Sequence, residues 1–156
     1  METLASPCTG IIHNLPVERD DKGRPIRRSF TMIHNILLDL RYKIKKIKSM
    51  WNKDDFQGYA LIEFGISDED VRSSMKLESQ FEEEGHGKVA WLSGNVDARP
   101  YLWVATIHDR QLLRSNVDYM TIPNEWRALA KTEAKNDIMD AAGAVTSWLA
   151  NKDLMT

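Results

Sequence analysis

The chain reads as an α+β protein, a ferredoxin-like sandwich of order β-α-β-β-α-β with an additional strand and a long C-terminal amphipathic helix. Three observations predict this. Residues Gly58–Phe64 alternate strictly, with Ala60, Ile62 and Phe64 pointing one way and Tyr59, Leu61 and Glu63 the other, as a strand requires. Helical spacing flanks that strand: Phe30, Ile33, Ile36, Leu37 and Leu40 come before it, and Val71, Met75, Glu78 and Phe81 after it. Finally, Trp126, Leu129, Ala130, Ala134, Ile138, Ala141, Val145, Trp148 and Leu149 recur at helical intervals beyond Pro123.

The elements follow in order. Residues 1–8 are expected to be an N-terminal arm, residues 9–122 the domain, and residues 123–156 the helix that packs on the domain or on a partner chain. Gly10–Pro16 is a short apolar strand closed by Asn14-Leu15-Pro16, and Glu18–Pro25 a charged loop turning at Asp21-Lys22-Gly23. Ser29 is placed to cap the first helix through its hydroxyl. Lys43–Trp51 suits a strand whose alternation is broken by Ile44 and Ile47, a hint of a bulge. Ser67 and Asp70 resemble a capping box for the second helix, which Gly85-His86-Gly87 stops. Lys88–Leu92 and Arg99–Ile107 fit two further strands.

Composition bounds the chemistry. A chain of 156 residues, 42% hydrophobic and 28% charged, can bury a core and is not disordered by composition. Its net charge of −2 excludes a protein basic all over. The charges are segregated, however. Arg24, Arg27, Arg28, Arg41, Lys43, Lys45, Lys46 and Lys48 face only Asp39 between residues 24 and 48, whereas the charged residues of 54–84 are acidic except for Arg72 and Lys76. The single cysteine, Cys8, allows neither a disulfide framework nor a cysteine zinc site, and the four histidines lack ligand spacing. No phosphate loop or nucleophile elbow is present. Neither a cofactor, a metal nor enzymatic activity is expected. Without a signal-peptide pattern or a membrane-length apolar run, the expected location is the cytoplasm, the nucleus or both.

Gln57-Gly58-Tyr59-Ala60-Leu61-Ile62-Glu63-Phe64 is similar to the octamer of the RNA-recognition motif (RRM), and Ile11-Ile12-His13-Asn14-Leu15-Pro16 to its companion hexamer. In that motif exposed aromatics on the sheet stack bases. Here the stacking positions hold Ile11, Tyr59 and Leu61, so one aromatic of three survives. Each base–aromatic stack contributes about 1–3 kcal/mol, and losing two of them shifts the burden of binding to phosphates. Lys43, Lys45, Lys46 and Lys48 are the candidate phosphate contacts. The same lysines equally suit an edge strand protected from pairing with other chains.

Several stretches together resemble the XS domain of plant gene-silencing proteins. Thr9–Pro16 looks like its opening strand, and Met50-Trp51-Asn52 followed by Gly58–Phe64 like its central signature. Phe81-Glu82 leading to His86-Gly87-Lys88 and Trp91 resembles its most distinctive segment, and Tyr101–Ala105 its last strand. The resemblance implies an RRM-like fold that associates with double-stranded RNA in small-RNA-directed silencing. It adds Trp51, Asn52, His86 and Lys88 to Tyr59 and the lysines as RNA-binding candidates. Structural readings stand beside these: the tryptophans suit core closure, His86-Gly87 a helix stop, and Lys88 a solvated strand edge.

Two functions are therefore expected. One is a non-enzymatic module that binds duplex or partly duplex RNA. The other is a protein-interaction module that pairs with itself or with longer XS-domain proteins without needing RNA. The C-terminal helix has two fates, packing over Tyr59 and Leu61 or forming a homodimer contact anchored by Trp148 and Leu149, and its early half is expected to pack on its own domain while the late half makes the intermolecular contact.

Overall fold

The computed structural model describes residues 1–14, 20–24, 44–52, 55–97, 99–113 and 118–136, and only the backbone of residues 51, 52, 55–57, 135 and 136. The expected first helix, its Ser29 cap, Lys43, Trp148 and Leu149 lie outside the described residues. Within them the chain forms β1 (Glu2–Ser6), β2 (Cys8–His13), β3 (Lys46–Asn52), β4 (Asp55–Gly65), α1 (Asp68–Glu83), α2 (Lys88–Leu92) and β5 (Tyr101–Val104). A 3-10 turn (Ile107–Asp109), α3 (Arg110–Leu113), β6 (Asp118–Ile122) and α4 (Glu125–Asn136) complete it.

The protein is a mixed α/β structure with antiparallel sheets. The main sheet has the order β3-β4-β2-β5, and β1 pairs with β6 in a separate two-stranded sheet. Ile11 sits opposite both Leu61 and Trp103, His13 opposite Tyr59 and Tyr101, and Lys46 and Lys48 opposite Glu63 and Leu61. Residues directly opposite in a ladder share a face, so all of these lie on the same side of the sheet. A register shift between Ser49 and Trp51 supplies the irregularity that the broken alternation of β3 foreshadows.

The opposite face carries the larger core. Ile12, Ala60, Ile62, Phe64, Leu102 and Val104 from the sheet meet Val71, Met75, Leu77 and Phe81 of α1. Local chemistry sets the ends of α1. Ser67 accepts from the Asp70 amide (3.1 Å) while the Asp70 carboxylate accepts from the Ser67 amide (3.2 Å), the expected capping box. At the other end Gly85 takes φ +75°, its amide reaches the Glu82 carbonyl and the His86 amide reaches the Phe81 carbonyl at 2.8 Å. That is a Schellman stop, and it hands His86 to the far side of the sheet edge.

Helix α4 packs on α1, on the helical side. Ala130 and Ala134 are buried, Trp126 lies against the core, and the Arg72 guanidinium sits 4.7 Å over its ring. Arg127 joins Glu2 of β1 to the buried Glu78 of α1, whose other oxygen accepts from the Val104 amide at 2.5 Å. A buried carboxylate is tolerated there because a cation and an amide compensate it. Over its described length this helix is therefore remote from Tyr59 and Leu61. Residues 137–156, which would make it long, lie outside the description.

Three local expectations change. Residues 2–6 are a strand, not an arm, because β6 supplies a partner that sequence patterning does not reveal. Asp118–Ile122 is that unforeseen strand. Lys88–Leu92 is a helix, not a strand. Helical spacing puts Lys88 and Trp91 on the sheet side and Val89 and Leu92 in solvent, where strand alternation would separate both pairs.

Candidate nucleic-acid interface

The sheet face that bears the RRM-like stacking positions divides into two halves. Over β2 and β5 it is closed. Ile11, Tyr59 and Trp103 are 0%, 5% and 3% exposed, and Trp91 from α2, Leu112 and Leu113 pack against them. The Tyr59 hydroxyl donates to the Leu112 carbonyl at 2.8 Å, tying β4 to the covering segment. Tyr59, the one stacking aromatic that sequence reasoning retained, thus offers no open ring face in this arrangement. Burial follows from the pleat: the positions that would stack bases are equally suited to stack the chain's own apolar groups.

Over the first residues of β3 the face is open, whereas Met50 further along is buried with Tyr59 and Trp103. Lys45, Lys46 and Lys48 are exposed, and none forms an ion pair among the described residues. Alternation puts Lys46 and Lys48 on the Tyr59 side of the sheet, and the strand is an edge of that sheet. Ile47 points the other way into the core of α1, which fixes which lysines face outward. Trp51 and Asn52 belong to the end of β3, opposite Phe56 and Asp55. Lys43 lies outside the described residues.

His86 and Lys88 sit at the closed half, and both are engaged. His86 is buried. Its Nδ1 donates to the Glu84 carbonyl (2.8 Å), its Nε2 lies 2.9 Å from an Asp97 carboxylate oxygen, and its ring packs 4.4 Å from Tyr101. Asp97 also accepts from the Arg99 amide, and chiefly that bond, then His86, holds its carboxyl below the usual range. Lys88 Nζ is 2.9 Å from Asp109, a buried carboxylate that also accepts from the Thr106 amide (2.9 Å) and hydroxyl (3.2 Å). The ammonium stands 5.9 Å from the Trp103 ring centre. These two residues therefore tie the start of the 86–113 segment to Asp97 before β5 and to Asp109 after it.

Sequence reasoning missed His13 and Asp109 as members of the same assembly. His13 lies under Trp91 (4.7 Å between ring centres, planes 17° apart) and beside Trp103 (5.0 Å) and Tyr59 (5.2 Å). Burial pushes its pKa down to about 4, with the Asp109 charge pulling the other way. The signal was present: His13 is two residues beyond Ile11 on one strand and must share its face. Asp109 gave no such signal, since its partners are remote in sequence. No cluster of three or more His, Cys, Asp or Glu residues is placed to hold a metal among the described residues. Nor is any described helix long and apolar enough to cross a membrane.

Comparison with known proteins agrees with the XS-like motifs. The chain is 24% identical over 140 residues to Factor of DNA methylation 3 of Arabidopsis thaliana, covering 87% of this chain and 22% of that protein. It is 24% identical over 109 residues to Protein INVOLVED IN DE NOVO 2 (69% of this chain, 17% of the relative) and 26% identical over 160 residues to Factor of DNA methylation 5 (96% and 23%), both from the same plant. The chain thus spans less than a quarter of the length of these relatives. The family model of the XS domain matches residues 1–112, and the chain belongs to the XS domain family.

Proposed function

We propose that this chain is a non-enzymatic RNA-binding module of RRM-like fold that associates with duplex or partly duplex RNA in small-RNA-directed gene silencing, in the nucleus, the cytoplasm or both. One observation carries the reading. Lys46 and Lys48 on the edge strand, and Lys45 just before it, are exposed and free of ion pairs among the described residues, whereas Lys88, Arg99 and Arg127 each have a carboxylate partner. Lys46 and Lys48 are about 7 Å apart along the strand, so each can meet a different phosphate. The closed half removes base stacking from the interaction and leaves charge and shape, which is how A-form duplexes are recognised. Trp51 and Asn52 adjoin the lysines along β3, while His86, Lys88 and Tyr59 support the interface by holding the cover in place. The relatives' names, factors of DNA methylation, agree with a role in silencing.

Fluorescence anisotropy with a labelled RNA duplex and the matching single strand, at two salt concentrations, tests this. The expected result is duplex preference with log K falling against log salt at a slope of about −2 to −3, for three neutralised phosphates. Preference for the single strand with no salt slope overturns it.

A second reading, a module that pairs with itself or with longer XS-domain proteins, is favoured by Val89 and Leu92, which are 84% and 70% exposed on α2. Light scattering on the whole chain and on one ending near residue 140 reads self-association, with Trp148 and Leu149 as the proposed anchors. If both are monomers at high concentration, the homodimer through the C-terminal helix is excluded.

A further inference from the structure

The closed half of the sheet face is closed by an aromatic ring lying where a flat ligand would lie. Trp91 stacks on His13 with planes 17° apart, and Trp103 and Tyr59 lie against the same imidazole. The helix that carries Trp91 has five residues, none of them buried, and it turns Val89 and Leu92 to solvent. So short an element has little intrinsic stability of its own. What holds it are the Trp91 stack, the Lys88–Asp109 pair and, at the other end of the covering segment, the Tyr59 bond to Leu112. Trp103, whose ring centre is 5.0 Å from that of His13, has its Nε1 buried with no hydrogen-bond acceptor among the described residues. Buried donors are seldom left so. A donor without an acceptor beside stacked rings is what a base edge, carrying carbonyl oxygens and ring nitrogens, would satisfy.

We propose that His13, Tyr59 and Trp103 form a latent site for an unpaired nucleobase, and that Trp91 of the same chain occupies it as a displaceable plug. With the plug seated, the domain offers RNA only the lysines of β3. With the plug withdrawn, the aromatic face becomes available to a single strand. The source of the base rests on the RNA reading above, but the site itself does not require the duplex contact.

The test compares the whole chain with its Trp91→Ala variant, using a labelled uridine oligonucleotide of about twelve nucleotides and a duplex of the same length. Circular dichroism establishes that each protein is folded. Trp91→Ala is expected to bind the single strand about tenfold tighter than the parent, with duplex affinity within about twofold, and His13→Ala added to it is expected to abolish the gain. A folded Trp91→Ala protein with unchanged single-strand affinity overturns the plug. Should that variant not fold, Tyr59→Phe keeps the ring and removes the hydroxyl that ties β4 to Leu112. A gain of about threefold there supports the proposal, and no gain overturns it. A parent that binds no duplex, beside a Trp91→Ala variant that gains the single strand, would sink the duplex reading alone. Salt-dependent duplex binding without any gain would sink the plug alone.

Discussion

One sheet face carries two unlike surfaces. Over β2 and β5 it is aromatic and covered, with its polar groups engaged on one another: Lys88 with Asp109, Arg99 with Glu84, and the His86 ring with Asp97. Over the first residues of β3 it is lysine-rich and open. The difference shows that a positive charge counts toward ligand binding only after its internal partners are known. Lys88 and Lys48 look alike in sequence, yet one is a fastener and the other faces solvent.

The largest effect should come from breaking the covered half. Asp109→Ala removes the carboxylate that serves Lys88 and the Thr106 amide, leaving both without their acceptor. Because Lys88 is partly exposed, the expected loss is about 2–3 kcal/mol, below the range for a wholly buried pair. Urea unfolding measures it. A loss under about 0.5 kcal/mol, as at an ordinary surface site, would mean that the cover is not fastened there.

The open half should respond in the opposite way. Lys46→Glu combined with Lys48→Glu is expected to leave the urea midpoint nearly unchanged, within about 0.5 kcal/mol per site. Duplex affinity should fall by tenfold or more, and the salt slope should flatten by about two. A double variant that unfolds early would place these lysines in the structural class with Lys88. Unchanged capture of protein partners, with lost RNA binding, would separate the two proposed functions.

The smallest effect is a pH dependence confined to the covered half. The pKa of His13 is about 4 in the folded protein against 6.5 unfolded, so the unfolded chain takes the proton more readily. Stability is then full above about pH 6.5 and declines as pH falls from there toward 4. His13→Phe should flatten the urea midpoint across that window. Asp97 acts in a separate, lower window: its carboxyl is depressed, so its contribution is present above 3.8 and lost only as pH falls below that value. A midpoint that rises on acidification from pH 6.5 to 4.5 would contradict the burial of His13.

The parts that were legible in the sequence are those whose cause lies within a few residues. The Ser67–Asp70 capping box, the Gly85 stop, the alternation of β4 and the lysines of β3 each act through near neighbours, and the structure bears them out. The conversion of Lys88–Leu92 into a helix, the pairing of Glu2–Ser6 with Asp118–Ile122 and the fastening role of Lys88 were not legible. In each case the deciding partner is distant in sequence. A five-residue segment such as Lys-Val-Ala-Trp-Leu carries no local preference strong enough to choose its own state.

The sequence by itself determined the family, the alternation that gives the sheet its two faces, and the placing of lysines on one of its strands. These depend on residue order and on the fixed periods of strand and helix. Only the tertiary structure decided which half of the outer face is open. That depended on whether Trp91 and Leu112 fold back over Ile11, Tyr59 and Trp103, and apolar burial is non-directional: an aromatic at a stacking position accepts whatever flat or greasy group the chain brings to it.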